Sequence, residues 1–290
     1  MTKTLDEGFR LFLDSLTPGK DELYATEDHR ENIKECLNDN FGLYAFFPSG
    51  SFLNGTSIRG HSSVDYFASI DNGSIPDDST SLLATVGHAL DEQFPHTGVT
   101  VRSTSIVVPS GSDDQGAIRV IPAKLAGQTR AGHRVYRVPD GTGGWMKSSP
   151  DGHSAYITAV DHKLDGKLRP LIRLLKAWKY FRDVAISSFY LELRCTMYAA
   201  GEKTIVYTID SRDVLKLLWD DQIADVHDQE GVSGRVSARL ARADRKTVFS
   251  KLRAALYHSS RAQEAAAEGN VEEAFQYWNR VFNGHFPAYG

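Results

Sequence analysis

Cysteine is scarce in this chain: Cys36 and Cys195 are the only two among 290 residues, and neither stands in a Cys-x-x-Cys or Cys/His cluster. That leaves no basis for a disulfide scaffold, a zinc site or a redox pair, and two reduced, buried thiols are expected. Long apolar runs are missing as well. No stretch of 18 apolar residues occurs, so no membrane-spanning helix is expected. The opening MTKTLDEGFRLFLDSL is amphipathic, carries acids and lacks the apolar core of a signal peptide, so a cytoplasmic location is expected. A basic excess is also absent. The formal net charge is -4, so an extended nucleic acid is not the default partner expected, though a local basic pocket can sit on an acidic protein. The ten histidines show no metal-ligand spacing.

What is present is an ordinary globular balance, 41% hydrophobic and 24% charged, enough to bury a sizeable core. Leu5, Phe9, Leu11, Phe12 and Leu16 predict a helix over 4–17, and a second helical stretch follows over 21–40. The aromatic run 41–47 predicts a strand ended by Pro48, and 63–70 predicts another. The Gly/Ser/Pro/Asp-rich segment 72–79 is a loop, followed by a helix over 80–93. Strands over 99–109 and 117–123, joined by the polar stretch 110–116, predict a hairpin. A turn over 140–144 precedes a short strand. Beyond residue 160 the character is helical. Leu168, Leu171, Ile172, Leu175 and Trp178 recur at three and four residues, and further helices fit 187–200, 211–225, 241–267 and 271–282. Gly269 ends one helix and Asn270 caps the next. The expected class is α+β: a mixed-sheet lobe over 1–160 whose first helix bridges to an all-helical lobe over 161–290.

The segment that carries chemistry is Gly50-Ser51, then Gly55-Thr56, then Ser63-Val64-Asp65 opening a strand. A Gly-Ser turn offers backbone N–H groups and a hydroxyl to a triphosphate. On a strand, residues two apart point to one face, so Ser63 and Asp65 project together. This pattern resembles the bacterial cGAS/DncV-like nucleotidyltransferases, the CD-NTase family of SMODS type. Later segments are similar to the same family: Val138–Trp145 with Ser148–Pro150 and His153, Lys167–Lys179, Ile186–Glu192, Trp278–Phe282 and Phe286-Pro287. The resemblance implies a polymerase-beta-like nucleotidyltransferase lobe, a nucleotide in the cleft before a helical lobe, and a place in anti-phage signalling through cyclic oligonucleotides. It also implies two-metal phosphoryl transfer, with carboxylates holding both ions.

By that resemblance the three metal-binding acids fall on Ser63, Asp65 and Arg119, so only Asp65 keeps its carboxylate. Arg119 is expected to pair with Asp65 in the place of a metal, because a cation there repels Mg²⁺ by about 4 kcal/mol per unit charge at 4 Å and an effective dielectric near 20. Asp113 and Asp114 lie roughly 16–20 Å away along an extended strand and do not substitute. The ligand-binding candidates are Gly50, Ser51, Ser63, Asp65, Arg119, Lys176 and Ser188. Lys176 and Lys179 also read as solvated surface lysines, and Ser187 or Ser188 as a helix cap. Arg235, Arg239, Arg242 and Arg245 recur at helical spacing as a solvated basic stripe. The expectation is an impaired homologue binding a nucleotide, a nucleotide signal or a protein partner, with no cofactor. The alternative is an active synthase of cyclic or linear oligonucleotides that uses Mg²⁺.

Overall fold

The computed structural model describes residues 4–19, 27–61, 64–71, 73, 75–110, 117–229 and 232–290. The chain opens on α1 (Leu5–Leu16), closed at its start by a capping box: Glu7 N donates to the Thr4 hydroxyl, and Thr4 N donates to the Glu7 carboxylate. Two compact units follow from the chain's contacts, one of them Pro18–Ala155 with Gln229–Gly234.

This sheet unit runs α2 (Glu27–Phe41), β1 (Leu43–Ser49), α3 (Gly50–Leu53), β2 (Val64–Ile70), α4 (Ser79–Gln93), β3 (Thr100–Val101), β4 (Ile106–Val108), β5 (Ile118–Gln128), β6 (Arg134–Pro139) and β7 (Trp145–Ser148). Among the described residues the sheet has seven strands, ordered β1-β2-β5-β4-β3, with β6 and β7 continuing from the far half of β5. Among the described residues only the β2–β5 pair is parallel. Strand alternation sorts the faces. Val64, Tyr66, Ala68 and Ile70 of β2 join Ile118 and Val120 of β5 against Ile33 and Leu37 of α2 and Leu82, Val86 and Leu90 of α4. Phe67 belongs to a second cluster with Ala123, Tyr136 and Val138.

Several expectations change here. The strand expected over 99–109 is two short strands folded back on each other, with Arg102 N donating to Ser105 O at 2.7 Å. Pro48 does not end β1 but lies inside it, as an edge strand tolerates because one row of its N–H groups has no ladder partner. The helix α5 (Pro150–Lys163) was not anticipated; Pro150 is its first residue, where a missing N–H costs nothing.

The second unit holds α1, Tyr156–Asp228 and Arg235–Gly290. Its elements are α6 (Leu168–Phe181), α7 (Ser188–Ala200), α8 (Tyr207–Asp220), β8 (Val226–His227), β9 (Arg235–Val236), α9 (Arg245–Ala267) and α10 (Val271–Val281). The boundary expected at residue 160 falls instead within α5, after Ala155, and α1 belongs with the helices. The reason is aromatic packing. Phe9 meets Trp278 edge-on at 4.9 Å and Phe286 at 5.1 Å, and Phe12 meets Phe282 at 4.6 Å. The helix expected over 211–225 stops at Asp220, because Gln222 and Ile223 take left-handed backbone with φ 55° and 54°. The one expected over 241–267 begins only at Arg245. The arginine stripe is therefore not a helix face: Arg235 lies on β9, and Arg239 turns the chain with φ 52°. Among the described residues no helix is long and apolar enough to cross a membrane.

Candidate nucleotide site

Strand β1 delivers Ser49 opposite Asp65 in antiparallel register, and the Ser49 hydroxyl donates to Asp65 O at 3.3 Å. The chain then turns sharply. Gly50 takes φ +60°, and a methyl group on its Cα would stand 2.9 Å from Asp65 Oδ2. Glycine is required here on both counts, conformation and space. A single helical turn follows. Asn54 N donates to Gly50 O at 3.0 Å, Gly55 N to Phe52 O at 3.2 Å and Thr56 N to Ser51 O at 2.9 Å. The Ser57 hydroxyl donates to Ser51 Oγ at 3.3 Å, so two hydroxyls lie side by side at the turn. Asn54, Thr56 and Ser57 are buried, which fixes the turn from beneath.

Asp65 sits beside Arg119 because β2 and β5 run parallel with these two residues in register. Arg119 Nη1 lies 3.4 Å from Asp65 Oδ1. One carboxylate oxygen thus faces the guanidinium and the other faces Gly50. The side chains are 20% and 43% exposed. A pair that open to water contributes only about 0–1 kcal/mol, so its consequence lies in charge and occupancy more than in stability. Ser63, Asp113 and Asp114 lie outside the described residues. Among the described residues, no group of three or more His, Cys, Asp and Glu side chains is placed to hold a metal ion.

Lys176 and Ser188 belong to the helical unit. Lys176 is not the solvated lysine of the sequence reading. It is 1% exposed, and its ammonium donates to the carboxylate of the equally buried Glu192. Lys179 is half-buried over the Tyr180 ring at 4.2 Å, and burial pushes its pKa down. Ser187, not Ser188, caps α7, accepting from Tyr190 N at 3.4 Å. Ser188 is the first helical residue, and its hydroxyl lies 3.2 Å from Tyr180 OH. Sequence reasoning passed over Ser49 and Ser57. Ser49 becomes visible only once β1 is known to pair with β2, and Ser57 only once the turn closes on Ser51.

The profile of the Second Messenger Oligonucleotide or Dinucleotide Synthetase domain matches residues 3–160, more than half of the chain. The chain belongs to this family, the SMODS-type CD-NTases. A probable cyclic nucleotide synthase of Bacillus cereus (strain VD146) is 24% identical to this CD-NTase over 176 residues, 59% of this chain and 51% of its own. The chain thus matches about half the length of that relative. The cyclic AMP-AMP-AMP synthase of an Acinetobacter species is 25% identical over 261 residues, 83% of this chain and 72% of its own. The structure of E. coli MS115-1 CdnC with ATP superposes with a TM-score of 0.77 at 17% identity, over 97% of this chain and 98% of that one. The fold of this CD-NTase is therefore the α+β nucleotidyltransferase fold with a helical C-terminal part.

Proposed function

We propose that this CD-NTase holds a nucleotide or nucleotide signal at the Gly50–Ser51 turn and that two-metal turnover there is blocked or strongly impaired. The observation that carries this reading is the Asp65–Arg119 pair. Mg²⁺ demands near-octahedral oxygen ligands at about 2.0–2.1 Å. The residues in register at this site are one carboxylate and one guanidinium, and the sequence puts a serine at 63. That donor set does not fit two divalent cations. It does fit a phosphate. The guanidinium supplies fixed positive charge where a metal would, and the Ser51 hydroxyl, which accepts from Ser57, keeps its own proton to donate. The same proposal includes a role in anti-phage signalling alongside a protein partner of such a system, and family membership is what supports it.

The second reading is an active synthase of a cyclic or linear oligonucleotide, using Mg²⁺. Asp65 and the names of the Bacillus and Acinetobacter relatives favour it. Calorimetric titration with ATP and with GTP, in EDTA and in Mg²⁺, separates the two. The proposal predicts an affinity that changes less than about threefold between the conditions and drops at least tenfold in Arg119→Ala. Binding that requires Mg²⁺ and survives Arg119→Ala supports the active synthase instead.

A further inference from the structure

The helical unit contains a pocket of about 140 Å³ lined by Arg182, Lys251, Ala254, His258, Arg280 and Val281, with Ser250 and Ala255 completing its wall. Its composition follows from helix periodicity. Lys251, Ala254, Ala255 and His258 recur at three and four residues along α9, so they share one face, and the two alanines leave room between the longer side chains. Arg182 comes from the end of α6, and Arg280 and Val281 come from the last turn of α10. Three cations line the space, and among the described residues no carboxylate does.

Each cation is held by a backbone carbonyl or over an aromatic ring, which leaves donors to spare. Arg182 donates through Nε to Val281 O at 3.3 Å and through Nη2 to Arg280 O, committing two of its five N–H groups. Lys251 donates to Asp183 O and stands 3.9 Å from Asp183 Oδ2, whose side chain is fully exposed. Arg280 rests on the Tyr277 ring at 5.1 Å and has no carboxylate within salt-bridge distance among the described residues. His258 Nδ1 is buried with no hydrogen-bond partner among them. Three cations crowded beside a buried, unpartnered nitrogen are costly unless something supplies negative charge.

We propose that this pocket binds a phosphate oxyanion, either free or as the terminus of a phosphomonoester. The volume decides the size class. Pockets for drug-sized ligands run from about 300 to 1,000 Å³, so this one admits the phosphate and leaves any nucleoside or sugar outside. Tetrahedral oxyanions accept many hydrogen bonds at once, which matches the donors of Arg182, Arg280 and Lys251. His258 completes the site. Burial, together with the nearby Arg280 and Arg182, holds its imidazole below the ordinary histidine range. A bound dianion offsets those two charges and raises it. The proposal does not rest on the reading of the Gly50–Ser51 turn.

The test is a heteronuclear NMR titration of the full chain with inorganic phosphate, AMP and adenosine at constant ionic strength. The His258 ring signal is assigned by its disappearance in His258→Asn. The expected result is a saturable shift of that signal with phosphate and with AMP, none with adenosine, and at least tenfold weaker binding in Lys251→Gln/Arg280→Gln. Tighter binding of AMP than of phosphate identifies a phosphomonoester, and equal binding identifies the free ion; both support the site. A His258 signal that ignores phosphate and AMP overturns the proposal, as does a folded double variant that titrates like the wild type. Should the double variant fail to fold, the wild-type titration still decides.

Discussion

Gly50 and Asp65 constrain each other. The glycine's left-handed backbone brings the turn back onto β2, and only hydrogen at Cα leaves space for the carboxylate. Gly50→Ala should cost about 1–2 kcal/mol from backbone conformation alone. Because the methyl displaces Oδ2, it should also disturb the contact with Arg119. Urea denaturation checks the first, and an unchanged midpoint would contradict it. The buried Lys176–Glu192 pair makes a sharper prediction. Glu192→Leu removes the carboxylate that a buried ammonium donates to and should cost about 3–5 kcal/mol, whereas Lys176→Met/Glu192→Leu should recover much of that loss. The Asp65–Arg119 contact was legible from the sequence because the family pattern put both positions in the metal site; strand alternation alone placed only Ser63 with Asp65. The burial of Lys176 was not. The apolar stripe of α6 read as one-sided, yet Leu174, Lys176 and Ala177, outside that stripe, are buried as well, so burial extends further round the helix.

At the scale of elements, caps and edges decide what the sequence shows. The Thr4–Glu7 capping box is written in the residues themselves, and Thr4→Ala should lower stability by about 1 kcal/mol, as thermal denaturation would register. Extended strands were found, but their ends were misjudged wherever pairing overrides propensity, as at Pro48 and in the fold-back of β3 on β4. The arginine spacing over 235–245 looked helical because a three-to-four periodicity carries no information about backbone. Arg239 in left-handed conformation shows the chain doing otherwise. His29 joins two elements: its Nε2 lies 3.3 Å from Val108 O and its ring packs edge-on against Phe94. Burial pushes its pKa below the ordinary 6.5, with the Val108 carbonyl opposing. The unfolded chain therefore takes up a proton at higher pH than the folded one. The stability this residue contributes is full above pH 6.5 and is lost as pH falls through the lower folded value. The drop in melting temperature between pH 7.5 and 5.5 should shrink in His29→Gln, and an identical drop would refute that assignment.

On the scale of the whole chain, the sheet unit was legible because a strand-end Gly-Ser, a Gly-Thr and a strand-opening Val-Asp occur in one short segment. The membership of α1 in the helical unit was not legible, since nothing in Phe9 and Phe12 names Trp278, Phe282 and Phe286 as their partners. Both thiols are buried, and burial pushes their pKa values up. The native protein should therefore resist a thiol reagent at neutral pH until denaturant is added. The Asp65–Arg119 pair has the widest consequence, because it bears on whether the molecule turns over nucleotides at all. Its most direct test is incubation with all four labelled nucleoside triphosphates and Mg²⁺ or Mn²⁺, beside Ser63→Asp/Arg119→Glu. A silent wild type and a product-forming double variant are expected, since the substitutions return carboxylates to an intact scaffold. Oligonucleotide product from the wild type would contradict the impairment and move the search to other metal ligands.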